Sequence, residues 1–391
     1  MKNFIGGVLL VAGTTIGGGM LALPVLTSLG GYIPSLFIYL ICWLFMASTG
    51  LLLLELSLTY GEGANLVTMA ENTLGLSGKI AAWLLYLFLF YSLTVAYIVG
   101  CGNIFSDLLP ATLSPSWGPI VFTALFAPFV WAGARYTAPL NSAMVVLLGI
   151  TYVAFIVIGF PYVKSELLMR KDWSASIIAL PIAFTSFAFQ GIVPTLTSHM
   201  DFNARKIRLA ILIGSFIPLI TYAIWQWLIL GIVPVDGQSG LREAMEQGQT
   251  AVWPLKHYIG IPHIWYIGQS FAFFALLTSF FGVTLGLLDF LADGLSIKKT
   301  RSGRLWLSLL IFVPPLIFAI FHPHVFLLAL DWAGGYGCAL LLGLLPILMV
   351  WSKRYHQKNP EHILISGGKT LLITLSLFVL VELIVEILTF N

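Results

Sequence analysis

Residues 11–24, VAGTTIGGGMLALP, interrupt the first long apolar run of the chain with three consecutive glycines, Gly17 to Gly19. Glycine in a helix costs about 1 kcal/mol relative to alanine, and an unpaired backbone group in membrane hydrocarbon costs several kcal/mol. Such a break is stable only where protein, water or a ligand uses the freed N–H and C=O groups. A second interrupted run, FAFQGIVP, lies half a chain away at residues 187–194. Two breaks at corresponding places in two halves are typical of the binding site of a secondary transporter.

The composition places both breaks in a membrane protein. The chain has 391 residues, of which 59% are hydrophobic and 9% charged, whereas soluble domains carry about 25% charged residues. No basic patch with interleaved aromatic residues indicates a nucleic-acid partner. The three cysteines, Cys42, Cys101 and Cys338, lie in separate apolar runs without CxxC spacing. The sequence therefore supports neither a disulfide nor a structural metal site.

Eleven apolar runs are long enough to cross about 30 Å of membrane hydrocarbon. They predict an all-α polytopic membrane protein with about eleven transmembrane helices embedded in a lipid bilayer. The predicted spans are residues 4–29, 33–59, 79–109, 118–134, 139–162, 174–200, 207–233, 263–294, 303–321, 324–350 and 367–389.

The basic residues predict the orientation of these spans. Fourteen of the nineteen Lys and Arg residues fall on one side, and cytoplasmic segments carry the excess of basic residues. We therefore expect a cytoplasmic N-terminus and a C-terminus on the outer, periplasmic side. The interrupted first and sixth spans then start from opposite sides. This predicts one transport domain built from two five-helix repeats of inverted topology, residues 1–163 and 174–350, and an additional helix at 367–389.

The backbone of the two breaks suits the charged end of an amino acid. The N–H groups at the start of the half-helix after the first break lie at the positive end of its dipole, and this end attracts a carboxylate. Freed carbonyls at both breaks are expected to accept hydrogen bonds from an ammonium group. The alternative is a glycine surface for close helix packing. The candidates in this set are Thr14, Thr15, Gly17, Gly18, Gly19, Phe187 and Ala188.

Aromatic and polar residues on other spans could form a slot for a flat ring. Thr94 and Tyr97 are three residues apart on the third span and share a helical face. The alternative is ordinary packing, because the chain is 14% aromatic. The candidates for this slot are Tyr91, Thr94, Tyr97, Phe187, Phe189, Gln190 and Phe281.

Adjacent hydroxyls on the eighth span, Thr278 and Ser279, could complete an oxygen shell for Na⁺ beside the carbonyls of a broken helix. The alternative is that both hydroxyls bond back to their own helix. Carboxyl groups at membrane depth are candidates for proton coupling, and these are Glu55, Asp289 and Asp331. Asp289 lies eleven residues beyond Thr278, about 16 Å along a helix, which suits an inner exit path.

Other acidic residues have simpler interpretations. Asp293 is close in sequence to Lys298 and Lys299, and we expect a charge pair between them. Glu382 and Glu386 belong to the additional helix and are expected near the outer interface.

Across nearly its whole length the chain resembles the hydroxy/aromatic amino acid permease family, and within it the tyrosine-specific members. The matching stretches are residues 11–23, 51–55, 185–194 and 277–293. The resemblance implies the LeuT-like fold of the amino acid–polyamine–organocation superfamily, with two inverted five-helix repeats. It also implies uptake of tyrosine, tryptophan or phenylalanine across a bacterial inner membrane, usually driven by a proton gradient.

Several positions depart from the family pattern. Relatives often carry His where this chain has Gln190, and often carry a lysine in the fifth span, where residues 139–162 have none. Thr278 and Ser279 fall where sodium-coupled superfamily members have ion-binding hydroxyls. Asp331 stands where relatives tend to have glycine. The coupling ion, H⁺ or Na⁺, is therefore left open, and no other cofactor is expected.

Together these features predict an ion-coupled symporter that imports an aromatic amino acid, with tyrosine first, and no catalytic residue. One alternative is a Na⁺-coupled carrier of another neutral amino acid, and more remote ones are a channel or an intramembrane enzyme. An enzyme would need a nucleophile and base, or clustered ligands, at membrane depth, but the seven histidines all lie at span ends or in loops. The sequence does not predict the oligomeric state.

Overall fold

The computed structural model describes residues 2–110, 112–258, 262–357 and 362–389, and these residues form helices and connecting loops without a strand. The α-helices are α1 (Lys2–Thr15), α2 (Gly19–Leu26), α3 (Tyr32–Tyr60), α4 (Leu66–Leu108), α5 (Trp117–Ala132), α6 (Ala134–Gly159), α7 (Trp173–Ile177), α8 (Leu180–Ser186), α9 (Val193–His199), α10 (Ala204–Ile232), α11 (Leu241–Glu246), α12 (Leu255–Tyr258), α13 (Pro262–Gly294), α14 (Arg301–Phe321), α15 (Phe326–Trp332), α16 (Leu345–Trp351) and α17 (Gly368–Thr389).

Short helices of other types join some of these elements. Three 3₁₀ segments are Phe160–Tyr162, Ser165–Met169 and Gln190–Ile192. Two π-helical segments, Ala333–Leu344 and Ser352–His356, continue α15 and α16, so that one helical run extends from residue 326 to residue 356.

Every predicted span corresponds to a helix. Within the described ranges, nine helical stretches are long and apolar enough to cross a membrane, and the pair α1–α2, bent by 51°, makes a tenth. The shorter apolar helix α5 occupies the fourth predicted span. The protein is therefore a multi-pass membrane protein.

The main difference from the predicted spans is at the start of α4. This helix begins at Leu66, thirteen residues before the predicted third span. Asn65 caps it, because its side chain accepts from the Thr68 N–H at 3.0 Å while the Thr68 hydroxyl accepts from the Asn65 N–H at 2.9 Å. Gly75, with φ of 74°, separates this first part from the long apolar part. A polar stretch that looks like a loop is thus a capped helix.

The interrupted spans lie at the centre of the bundle. α1 packs along α10, and α13 packs along α6 and α4. The half-helices α2 and α8, one from each break, pack against each other. This packing places both breaks among the largest buried side chains, including Tyr222, Phe187 and Phe189.

Candidate functional site

The first break separates α1 from α2 at residues 16–18. The Gly18 N–H donates to the Ser279 hydroxyl of α13 at 3.2 Å, while the Met20 and Leu21 N–H groups donate to the Gly17 and Gly18 carbonyls at 3.0 Å. The backbone therefore leaves its helical path here and exchanges one of its own bonds for a contact with another span.

The three glycines permit close approach to three other spans. A Cβ at Gly18 would lie 2.6 Å from Cε1 of Tyr97 in α4, and one at Gly19 would lie 2.5 Å from the Ser186 hydroxyl of α8. A Cβ at Gly17 would overlap the Ser279 hydroxyl of α13. The two interpretations from the sequence, a broken helix and a glycine surface for close packing, therefore both apply to these residues.

The second break lies between α8 and α9. The Phe189 N–H donates to the Gln190 side-chain oxygen at 2.9 Å, and the Gln190 amide donates to the Thr49 hydroxyl of α3 at 2.9 Å. Gln190 is fully buried and fastens the break to α3. Among the described residues, no hydrogen bond ends on the carbonyl of Phe187 or of Ala188. Of the two residues, Ala188 lines the cavity described below, so its carbonyl is available to a ligand there.

One residue that joins the two breaks was missed by sequence reasoning. The Tyr222 hydroxyl of α10 lies 2.7 Å from the Thr15 carbonyl and 2.9 Å from the Ser186 carbonyl. The ring of Phe187 packs edge-on against Tyr222, with a centroid distance of 5.2 Å. The available signal was a tyrosine in the middle of an apolar span, because a buried tyrosine hydroxyl usually has a hydrogen-bond partner.

A cavity of about 1000 Å³ lies between the breaks. It extends from the glycines of the first break to the end of α13, where Asp289 and Asp293 lie near the loop that carries Lys299. The predicted site residues that line it are Thr14, Thr15, Gly17, Gly18, Gly19, Tyr97, Ala188, Phe189, Thr278, Ser279 and Asp289.

Three aromatic residues that the sequence did not single out also line the cavity. Tyr86 stacks on Phe90 with ring centroids 4.9 Å apart, and on Phe290 of α13 at 4.8 Å. A continuous aromatic wall therefore follows the cavity along α4 and α13.

The other predicted site residues lie away from the cavity. The Tyr91 hydroxyl donates to the Leu310 carbonyl at 2.8 Å, and the Thr94 hydroxyl bonds back to the Phe90 carbonyl at 2.7 Å. Phe281 is fully buried and packs against Phe126 and Phe129. Because the residues in this group do not line the cavity, they can affect a bound substrate only through neighbouring side chains. The residues in this group are Tyr91, Thr94, Phe187, Gln190, Phe281, Glu55 and Asp331.

The hydroxyl pair on α13 faces the cavity but is already partly engaged. The Thr278 hydroxyl donates to the Phe274 carbonyl at 2.9 Å, and the Ser279 hydroxyl donates to the Ala275 carbonyl at 2.9 Å. Each oxygen keeps a lone pair. Bonding to the helix and binding of a cation are therefore compatible.

Glu55 forms a buried ion pair. Its two carboxylate oxygens accept from Arg354 at 2.8 Å and 2.5 Å, and both side chains are 4% exposed. One oxygen also accepts from the Leu364 N–H at 3.3 Å. The pair joins the end of α3 to the helical run that includes α16, and to the loop before α17.

We expected Asp293 to form a charge pair with Lys298 or Lys299, and for Lys299 this prediction is wrong. Lys299 instead pairs with Asp289 at 2.7 Å, where the cavity ends. The reason lies in the turn after α13, where Ser296 adopts a φ of 54°. The chain folds back there, and Lys299 meets the carboxylate one helical turn further from the helix end.

Comparisons with known proteins agree with this architecture. The model of the tryptophan/tyrosine permease family matches residues 1–385. Tyrosine-specific transport system 1 of Haemophilus influenzae is 34% identical over 388 residues, 97% of this chain and 96% of the relative. The tryptophan-specific transport protein of the same organism is 28% identical over 402 residues, 98% of this chain and 96% of the relative.

The crystal structure of MhsT in complex with L-phenylalanine has the same fold. It superposes with a TM-score of 0.67 at 14% identity and covers 98% of both chains. This likeness confirms the predicted LeuT-like arrangement. The family consists of transport proteins rather than enzymes, and amino acid transport is the activity its members share. The match over nearly the full length shows that this chain belongs to the tryptophan/tyrosine permease family.

Proposed function

We propose that this protein is a symporter that imports an aromatic amino acid, with tyrosine as the first candidate, by alternating access coupled to H⁺ or Na⁺. The observation that carries the proposal is the cavity between the two breaks, because its lining combines open backbone groups with aromatic rings. Relatives are named for tyrosine and tryptophan, and the solved neighbour holds L-phenylalanine.

The polar end of the substrate is expected at the breaks. Gly19 begins α2, and N–H groups in the first turn of a helix lack helical partners and attract anions. The substrate carboxylate is therefore placed at Gly18 and Gly19. The ammonium group is expected at the carbonyl of Ala188, which lines the cavity and accepts no hydrogen bond from the described residues. The ring then lies against Tyr97 and Phe189, which both line the cavity.

The proposed membrane is the bacterial inner membrane, with the N-terminus in the cytoplasm. In this orientation the cavity extends to the cytoplasmic end of α13, so the conformation is inward-facing. On the opposite side, Arg170 donates to the Leu29 carbonyl at 2.9 Å and to Asp236 at 2.8 Å. Those contacts tie two outer loops over the end of the first span.

One observation supports the sodium alternative. The Thr278 and Ser279 hydroxyls lie beside the first break, where the Gly18 N–H already contacts Ser279. Purified protein in proteoliposomes should therefore be tested with Na⁺ and pH gradients imposed separately. Tyrosine accumulation driven by a pH gradient without sodium would eliminate the sodium alternative. Failure to exchange any aromatic amino acid would overturn the proposed function.

The Gly18→Ala variant tests the site itself. Its methyl group would lie 2.6 Å from the Tyr97 ring, so one of the two must move. We expect tyrosine counterflow to fall by about one to two orders of magnitude, as for other small misplacements in a binding site. Gly149→Ala is the matched control, because a Cβ there meets nothing within 4 Å. Equal counterflow in both variants would contradict the assignment of the site.

A further inference from the structure

Two carboxyl groups in α17 are buried without partners. Glu382 and Glu386 are four residues apart on one helical face, and both are 0% exposed. None of their four carboxyl oxygens has a hydrogen-bond partner within the described part of the chain. Asp331 of α15 lies within electrostatic range of both. Three carboxyl groups therefore lie close enough to interact, and two of them are fully inside the helix bundle.

Among the residues that the structure describes, none supplies a positive charge to the pair. The titratable groups around the pair are Asp331, Tyr336 and Cys338 on the run that begins with α15, and Cys42 on α3. The helices α8 and α16 also pack on α17, and neither carries a titratable side chain. No grouping of His, Cys, Asp or Glu suitable for a metal ion occurs among the described residues. Since an isolated buried carboxylate is very costly, the ligand that fits this cluster is a proton.

Packing contacts and a hydrogen bond connect the cluster to the second break. A Cβ at Gly335 would overlap the Glu386 carboxyl group, while one at Gly334 would overlap the Pro181 carbonyl of α8. The π-helical segment is therefore pressed between α17 on one side and the half-helix α8 on the other. In addition, the Thr185 hydroxyl, at the cavity, donates to the Leu330 carbonyl at 2.7 Å. Leu330 directly precedes Asp331.

We propose that Glu382 and Glu386, together with Asp331, form the proton-binding site that couples transport to a pH gradient. This inference rests on the proposed symport function. Binding forms one O–H bond at a carboxylate oxygen with a proton taken from hydronium. Release breaks that bond and returns the proton to water. Cys338 lines the cavity and lies within electrostatic range of Glu382, which places the inner exit on that side.

The first test compares gradient-driven accumulation with counterflow in proteoliposomes. Glu382→Gln and Glu386→Gln keep the size and remove the titration. We expect accumulation of tyrosine under a pH gradient to fall by about tenfold or more, within the range of coupling between two sites. Counterflow at equal pH should change by less than about twofold, because it needs no net proton movement. Glu166→Gln, in the exposed 3₁₀ segment Ser165–Met169, is the matched control.

The second test uses infrared spectroscopy, and its first measurement, on the unmodified protein, needs no variant to fold. A protonated carboxylic acid C=O band should titrate with pH and should be lost in the Glu382→Gln, Glu386→Gln double variant. An unmodified protein without this band overturns the proposal, as does a double variant that still accumulates tyrosine under a pH gradient. If the unmodified protein instead fails to exchange aromatic amino acids, the proposed function fails, while the infrared band still decides whether the proton site exists.

Discussion

The Tyr222 hydroxyl has one hydrogen and two carbonyl acceptors, Thr15 and Ser186, one on each broken span. In Tyr222→Phe both carbonyls lose their partner. An unsatisfied buried polar group costs about 1–3 kcal/mol, so we expect tyrosine affinity to fall by about tenfold. Affinity is measured by equilibrium binding to the detergent-solubilised protein.

The control for this prediction is Tyr152→Phe. The Tyr152 hydroxyl also donates to a carbonyl of α10, that of Thr221, at 2.9 Å, but it touches neither break. Both variants therefore lose one tyrosine hydroxyl that is bonded to a backbone carbonyl, and only Tyr222→Phe loses contacts with the breaks. If the two variants bind tyrosine equally well, Tyr222 has no special role in holding the breaks.

The limits of sequence reasoning are clearest for single residues. The glycines at 17–19 reveal the first break because helix breaking is a local property of the chain. Tyr97 and Thr94 share a helical face, yet only Tyr97 reaches the cavity. Which part of a helical face meets the cavity depends on how α4 is rotated against α13, and this is set by packing between spans distant in sequence. The same reason explains why Phe281 lies among other phenylalanines.

At the scale of elements, the buried pair of Glu55 and Arg354 joins the C-terminal end of α3 to the helical run that starts with α15. Removing one partner of a buried ion pair leaves an uncompensated charge and costs about 3–5 kcal/mol. We therefore expect Glu55→Gln to lower the midpoint of thermal unfolding by several degrees in detergent.

The exposed pair of Lys79 and Glu71 provides the comparison. Their side chains are 45% and 42% exposed, and such surface pairs contribute about 0–1 kcal/mol. Glu71→Gln should therefore leave the midpoint nearly unchanged. Equal midpoints in the two variants would show that the buried pair does not stabilise this end of the helix bundle.

Element boundaries also show what the sequence could and could not predict. All eleven spans could be placed because continuous apolar runs report directly on membrane crossing. The helical start of α4 could not, since its stability comes from the Asn65 cap and the Gly75 turn rather than from hydropathy. The ion pair between Glu55 and Arg354 could not be predicted from the sequence either, because the two residues are separated by 299 positions.

At the scale of the whole molecule, the loops on the face that we propose to be periplasmic are joined by ion pairs that resist mild acid. Asp236, in the loop after α10, accepts from Arg170 and Arg242, each at 2.8 Å. These hydrogen bonds lower the pKa of Asp236. A carboxyl group with a lowered pKa keeps its pairs until the pH falls below its usual titration range. Asp236→Asn should therefore leave the pH dependence of tyrosine uptake between about pH 5 and pH 8 unchanged, in contrast to the variants at Glu382 and Glu386.

The proposed inward-facing state predicts which residues are accessible from each side of the membrane. Thr195 of α9 is exposed within the cavity, and Lys171 is exposed in the loop between the fifth and sixth spans. We expect a membrane-impermeant thiol reagent to label Thr195→Cys from the cytoplasmic side and Lys171→Cys from the periplasmic side. Both are made in a protein whose three native cysteines, all buried, are replaced by alanine. Tyrosine should slow the labelling of Thr195→Cys alone, because only that residue shares the cavity with the breaks. Labelling of Thr195→Cys from the periplasmic side and of Lys171→Cys from the cytoplasmic side would contradict the orientation that we derive from the basic residues.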